Sequence, residues 1–497
     1  MQSIKSKSQF QPQTQMQTVC IHIFRRDYRL YDNTSLIKAC KTFDLVIPIF
    51  IFTDKQINPK RNPYRSDNAV QFLCESLADL DSQLRHLGSQ LFIFYGDEFA
   101  FLELLLKYLK SYGLAGISFN ADYTKYSQER DARITELCKS KKLECLTLDD
   151  ICLHPPGEIL TSTGKVYTKF TPFWRASASK DIRKPVDNKM NNYLQSSSSI
   201  AKKLKNISDL GYISLEEVMK PEGRILGKHN PHLPEKGGRA QGLVILKRIA
   251  DWKDYNDQHD QLVYNTTHLS PFNKYGCVSI REVYHTMLDK LGKENGVIRQ
   301  LFWRDFFYHL SHANPEIYVH ALNPKYRAIH WEKNSSGWQA WCDGRTGFPV
   351  VDACMRELNT TGYMHNRGRL IVSSFLCRML HQDWRDGERY FASKLYDYDP
   401  AQNNFGWQVS GANSSGTTSR PLEQTILNPW IQSAQFDPKG EYIKKWCPEL
   451  ADVSPKDLHR WQDKCDDWIN KGVKYMKPIL DYKEEKEKNL KMYRKYL

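Results

Sequence analysis

Short apolar runs alternate with amphipathic stretches over the first third of the chain. VCIHIF, LVIPIFIF, LFIFY, GISF and LECLTL are brief, rich in Ile, Leu and Phe and bounded by turn residues, as strands buried on both faces are. Between them, SDNAVQFLCESLADLDSQLRHLG and residues 126–142 carry the pattern of helices. The βαβα order predicts a Rossmann-like α/β domain over residues 19–154, a parallel sheet covered on both faces. No GxGxxG follows the first strand; FRRDYRLYDN stands there, which argues against an NAD-type dinucleotide site. Over residues 155–238 polar and breaker residues dominate, in KDIRKPVDNKMNNYLQSSSSIAKKLKN and KPEGRILGKHNPHLPEKGG, and predict a long interdomain connector. Residues 239–490 read as an all-α domain with many Trp and Tyr and stops at Gly and Pro. Residues 1–18 are polar and Gln-rich and are expected to form a disordered extension.

The densest chemistry lies between Thr361 and Gln408. Met364, Gly368, Ile371, Phe375 and Met379 step at three or four residues, so the first half is a helix packed on other helices. Its polar members are unusual for a solvated face. His365, Asn366, Arg367 and Arg369 crowd one turn, and Asp397, Asp399, Asn403 and Asn404 follow beside Trp407.

Composition narrows the partners. Lys plus Arg exceed Asp plus Glu by 71 minus 57, a net charge of +14 that points to a polyanion, nucleic acid before membrane. The 12 cysteines form no CxxC pair, so no metal site is indicated, and Cys138, Cys145 and Cys152 read as buried thiols. No run approaches the length of a membrane span. Reduced thiols and a polar N-terminus that is no signal peptide place the chain in nucleus or cytoplasm, and a monomer is expected.

Three further segments carry candidate chemistry. In TTHLSPFNKYG, Ser270 can cap a helix whose first turn holds Pro271, and hydroxyls at such a start can hold a phosphate. In QLFWRDFFYHL, Trp303 and Phe307 share a helix face, and Arg304 and Asp305 read equally well as an ion pair. In HWEKNSSGWQAWCDGRTGFPVVDACMREL, Trp331, Trp338 and Trp341 cluster before a helix begun by Pro349.

Together with DWRDGERYF, DYDPAQNNFGWQ and FDPKGEYIKKWCPEL, these segments resemble the cryptochrome and DNA photolyase family, over residues 19–483. The likeness is greatest to class I cyclobutane pyrimidine dimer photolyases, with some DASH-type cryptochrome features. The resemblance implies FAD in the helical domain and light-driven repair of UV-damaged DNA. By similarity, FAD would be held by Tyr255, Thr266, Thr267, His268, Leu269, Ser270, Asp397, Tyr398 and Asp399, with Arg369 paired to Asp397. Asn403 would face flavin N5, and Trp407, Trp384 and Trp331 would relay an electron from the surface. Gln300, Trp303, Arg304, Asn366 and Arg367 match the positions that meet the lesion and the DNA.

The same comparison exposes departures. Gln300 replaces an acid, Val409 replaces the second tryptophan of WQW, His259 replaces an arginine, and the text between Ser410 and Ile426 leaves the family pattern. Neither Asn366 nor Leu370 is the histidine of six-four enzymes. The alternative implied is a cryptochrome-like photoreceptor, DASH-type or other, with weak or single-strand-restricted repair. An antenna chromophore stays open between methenyltetrahydrofolate, a deazaflavin and none, Gln128 and Glu129 being loosely placed for a folate.

Overall fold

The computed structural model describes residues 17–333, 335–412 and 422–496. The expected N-terminal extension, through residue 16, and residues 413–421 of the divergent loop lie outside the described residues.

All five expected strands form: β1 (Val19–Ile23), β2 (Leu45–Phe52), β3 (Phe92–Tyr95), β4 (Leu114–Asn120) and β5 (Glu144–Leu148). They lie parallel in the order β5-β4-β1-β2-β3, so the winding reverses at β1, as in doubly wound sheets. Helices α1 (Thr34–Thr42), α2 (Asp67–Arg85), α3 (Glu98–Leu109) and α4 (Lys125–Ser140) start where a side chain accepts a free amide: Asn33, Ser66, Asp97 and Thr124. The connector is more ordered than its composition suggested. It contains α5 (Phe170–Ala178), and its Tyr212 and Ile213 form a sixth strand, β6, antiparallel to Phe94 and Ile93 of β3.

Beyond the connector the described residues are helical. The elements that matter for the site are α6 (Ser270–Lys274), α7 (Gly296–Ala313), α8 (Pro349–Thr361), α9 (Asn366–Arg378), α10 (Trp384–Lys394) and α11 (Pro400–Gly406), which runs into a π-helical turn at Trp407–Gly411. The two halves share one hydrophobic core. Phe72 of α2 packs on Phe272 and Tyr275, with ring centroids 5.1 and 5.3 Å apart, and Tyr28 stacks on Tyr275. Beside it lies a buried ion cluster: Arg29 reaches Asp150 at 2.6 Å, and Arg281 of the helical half reaches Asp32 and Asp150 at 2.7 Å each.

Candidate functional site

The chain leaves α8 through Gly362, whose left-handed φ of +66° suits only glycine without strain, and re-enters a helix at α9. His365 caps α9: its Nδ1 accepts the Arg367 amide at 3.1 Å. Arg369, in the first turn, donates to Asp397 at 2.9 and 3.1 Å and to the Met364 carbonyl. Ser270 completes this cluster by donating to Asp397 Oδ2 at 2.7 Å. That differs from the capping role expected of Ser270. Leu269 occupies the cap position of α6, and the serine hydroxyl serves a carboxylate that is 94% buried and in need of donors.

Thr266 shares a hydrogen bond of 3.1 Å with the Tyr363 hydroxyl, and Thr267 accepts the Leu269 amide at 3.4 Å. Tyr255, buried, stacks on His259. His268 lies against the Tyr363 ring with a left-handed φ of +51°. Two ring nitrogens here are buried without a partner, His268 Nδ1 and His365 Nε2. Since His365 Nδ1 accepts an amide, the neutral ring carries its proton on Nε2, so that orphan is a donor. Burial pushes both imidazoles down to about 4, so both are neutral at pH 7. Orphaned buried polar atoms beside an Arg–Asp–Ser cluster and two threonines fit a polar ligand such as FAD, whose pyrophosphate, ribityl hydroxyls and adenine supply the missing partners.

Asp399 and Tyr398 do not direct their side chains into this group. Asp399 caps α11 by accepting the Ala401 and Gln402 amides, while Arg26 and Tyr308 hold its other oxygen. Burial would raise its pKa, but Arg26, Lys274 and Arg304 pull it down to about 2. Tyr398 stacks on Tyr64. Asn403, one turn into α11, donates its amide to Glu388, at 3.0 Å to the carbonyl and 3.4 Å to the carboxyl. Its Oδ1 is therefore the side left for a cofactor. Burial pushes the Glu388 carboxyl up to about 7, partly offset by Asn403. Nothing in DWRDGERYF singled out Glu388; only its contact with Asn403 does.

The three expected relay tryptophans grade from inside to outside. Trp407 and Trp384 are buried in the core of the helical half and Trp331 is half-buried at its rim. Trp407 is packed by Phe391 and Trp341, and Gly387 of α10, one turn beyond Trp384, lets it approach: a Cβ there would sit 2.2 Å from the indole. A parallel bridge between Glu332 and Gln382 sets Trp331 beside the segment that leads into Trp384.

Of the residues expected to meet DNA, Gln300 and Asn366 are exposed. One face of Trp303 is covered by Phe170 of the connector, stacked at 3.6 Å with planes 7° apart. Arg367 pairs with Asp260 at 2.6 Å and covers Phe436. Arg304 departs from the expectation of a DNA contact. It donates inward to the Ile151 and Asn273 carbonyls and sits 3.5 Å from Asp305, because the domain seam offers buried acceptors to its guanidinium. Gln128 hydrogen-bonds Tyr123 and His312. Among the described residues no cluster of His, Cys, Asp and Glu could hold a metal ion.

Residues 297–495 match the FAD binding domain of DNA photolyase, and residues 20–189 match DNA photolyase. A deoxyribodipyrimidine photo-lyase of Vibrio cholerae is 33% identical over 95% of this chain and 98% of its own length. The chain belongs to the DNA photolyase family. Two solved family structures overlay on it: an archaeal photolyase from Sulfolobus tokodaii with two FAD molecules (35% identity, TM-score 0.80, 96% of this chain and all of the other), and a class III photolyase from Agrobacterium tumefaciens (28%, 0.85, 98% and 99%). The α/β domain followed by a helical domain is therefore the photolyase fold.

Proposed function

We propose that this protein is a light-driven DNA repair flavoprotein, a deoxyribodipyrimidine photolyase acting on cyclobutane pyrimidine dimers. The observation that carries this reading is likeness over nearly the whole chain to relatives named deoxyribodipyrimidine photo-lyase. When bound, reduced and excited, FAD supplies the electron that opens the dimer and takes it back. The protein's own task is placement. Arg369 with Asp397, Ser270, Thr266 and Thr267 grips the cofactor's polar parts, and the His268 and His365 orphans meet its acceptors and donors. Asn403 presents Oδ1 with its donor side fixed by Glu388. Trp331, Trp384 and Trp407 pass an electron inward, the outermost being the one solvent reaches.

The excess of +14 draws the protein to DNA, and an extruded dimer meets Gln300, Asn366 and the open side of Trp303. A single-strand-restricted variant of the activity is favoured by two details. Arg367 is already engaged by Asp260, and Val409 stands where the resemblance implies a second tryptophan, against which a stacked base would gain ~1 to 3 kcal/mol. At the carboxyl ends of β1 and β2, beside Arg25 paired with Asp131 and Glu98, lies a cavity of about 20 Å³, too small as it stands for a second chromophore. We read the protein as a monomer of nucleus or cytoplasm; among the described residues no helix is long and apolar enough to cross a membrane.

The test is a visible spectrum of purified protein, then illumination with dimer-containing single- and double-stranded oligonucleotides. Flavin absorbance with light-dependent restoration of either DNA supports repair. A flavin-loaded protein that restores neither leaves the photoreceptor reading, and colourless protein that FAD cannot reconstitute ends both. Trp331→Phe should block photoreduction while sparing repair by flavin already reduced; loss of both contradicts the relay order.

A further inference from the structure

The FRRDYRLYDN segment after β1 gives no cofactor motif, yet its second arginine makes the longest-range contact in the site. Arg26 lies in the α/β domain, and its guanidinium is enclosed by acceptors from four separate places. Nε donates to the Lys274 carbonyl of α6 at 3.0 Å, and Nη1 to Asp122, just after β4, at 3.3 Å. Nη2 donates to the Tyr308 hydroxyl of α7 at 2.6 Å and to Asp399 at 2.5 Å. Asp399 stands 373 residues along the chain and caps α11 through its other oxygen. The Asn403 amide N–H donates to the Asp399 carbonyl at 2.9 Å, closing the first turn. Hence the fork of Arg26 fixes the cap, and the cap fixes the turn that aims the Asn403 side chain.

We propose that Arg26 is a positioning residue for the flavin-facing amide, acting from the other domain through Asp399 and the first turn of α11. This rests on the reading of Asn403 as the residue that faces the flavin. Lysine is a poor substitute, because one ammonium cannot serve four acceptors spread in a plane. Lys274 and Arg304 also lower the Asp399 pKa, but the hydrogen bonds on its Oδ2 come from Arg26 and Tyr308, and Arg304 donates to the seam instead. Removing Arg26 strips the buried Asp399 Oδ2 of its charged donor and of the largest of the three cationic influences on it.

The experiment has two arms, on full-length Arg26→Met, Arg26→Lys and the milder Tyr308→Phe, with Arg281→Lys as a control that loosens the other ion cluster without touching α11. In the flavin-free protein, hydrogen exchange of the Ala401, Gln402 and Asn403 amides should quicken ~10-fold in Arg26→Met, the effect of losing a helix cap. It should quicken less in Arg26→Lys and Tyr308→Phe, and stay unchanged in Arg281→Lys. In the loaded protein, the flavin midpoint potential should shift in the same rank order, as the Asn403 amide loses its fixed aim. Equal exchange and equal potential across the set overturn the proposal, as does a change in Arg281→Lys as large as in Arg26→Met. Wild-type protein that takes up no flavin overturns the flavin reading alone, while the exchange arm still decides whether Arg26 holds α11.

Discussion

At the scale of single residues, burial disfavours the charged forms of Glu388 and His268, and an acid and a base so treated give opposite pH dependences. The Glu388 carboxyl, pushed up to about 7 in the folded flavin-free protein against 4.5 unfolded, favours the native state while it stays protonated. That contribution is complete below pH 4.5 and disappears as pH rises to about 7. Glu388→Gln keeps an acceptor for Asn403 and cannot ionise, so its melting temperature should match wild type near pH 4.5 and exceed it at pH 8. Identical wild-type and variant slopes would remove Glu388 as the cause. His268, pushed down to about 4 against 6.5, favours the native state above pH 6.5 and stops doing so as pH falls toward 4. His268→Gln should flatten that acid limb in thermal melts of the flavin-free protein; an unaltered limb would place the titration elsewhere.

At the scale of elements, packing sets the path proposed for the electron. Alanine forms helix better than glycine by ~1 kcal/mol, so Gly387→Ala in the interior of α10 would ordinarily stabilise. Here the new Cβ would lie 2.2 and 2.4 Å from Trp407 and 2.6 Å from Leu376. Overpacking of that kind costs roughly 1 to 3 kcal/mol, outweighing the propensity gain. The variant should melt lower and photoreduce slowly while still binding flavin, because Trp407 is displaced and the Arg369–Asp397 cluster is not. Unchanged photoreduction would show that the Trp407 position is not set by α10. The π-helical turn at Trp407–Gly411 is held by Gln408, which donates to the Asn404 side chain and accepts the Leu322 amide. A widened turn of this sort re-aims side chains at functional sites.

For the whole molecule, the shared core and the Arg29–Asp32–Asp150–Arg281 cluster tie the domains into one folding unit. Breaking a buried ion pair by removing one partner costs roughly 3 to 5 kcal/mol, and burial shields it from salt. Asp150→Asn should lower the midpoint of denaturant unfolding by a similar amount at low and high salt, with α/β and helical signals lost together. Separate transitions for the two halves in wild-type protein would contradict the shared core.

The residue text alone determined the strands, the main helices and the helical half, since burial periodicity and caps such as Ser66 and Thr124 act over a few residues. It also named Arg369, Asp397 and Asn403, through a family likeness rather than through spacing. What only the tertiary structure decided are contacts between positions far apart in the chain: Phe170 over Trp303, Glu388 against Asn403, Arg304 turned into the seam, and Arg26 on Asp399. The physical reason is that local pattern reports which face of an element is buried. Which partner a buried polar group finds is settled only when separate elements close over it.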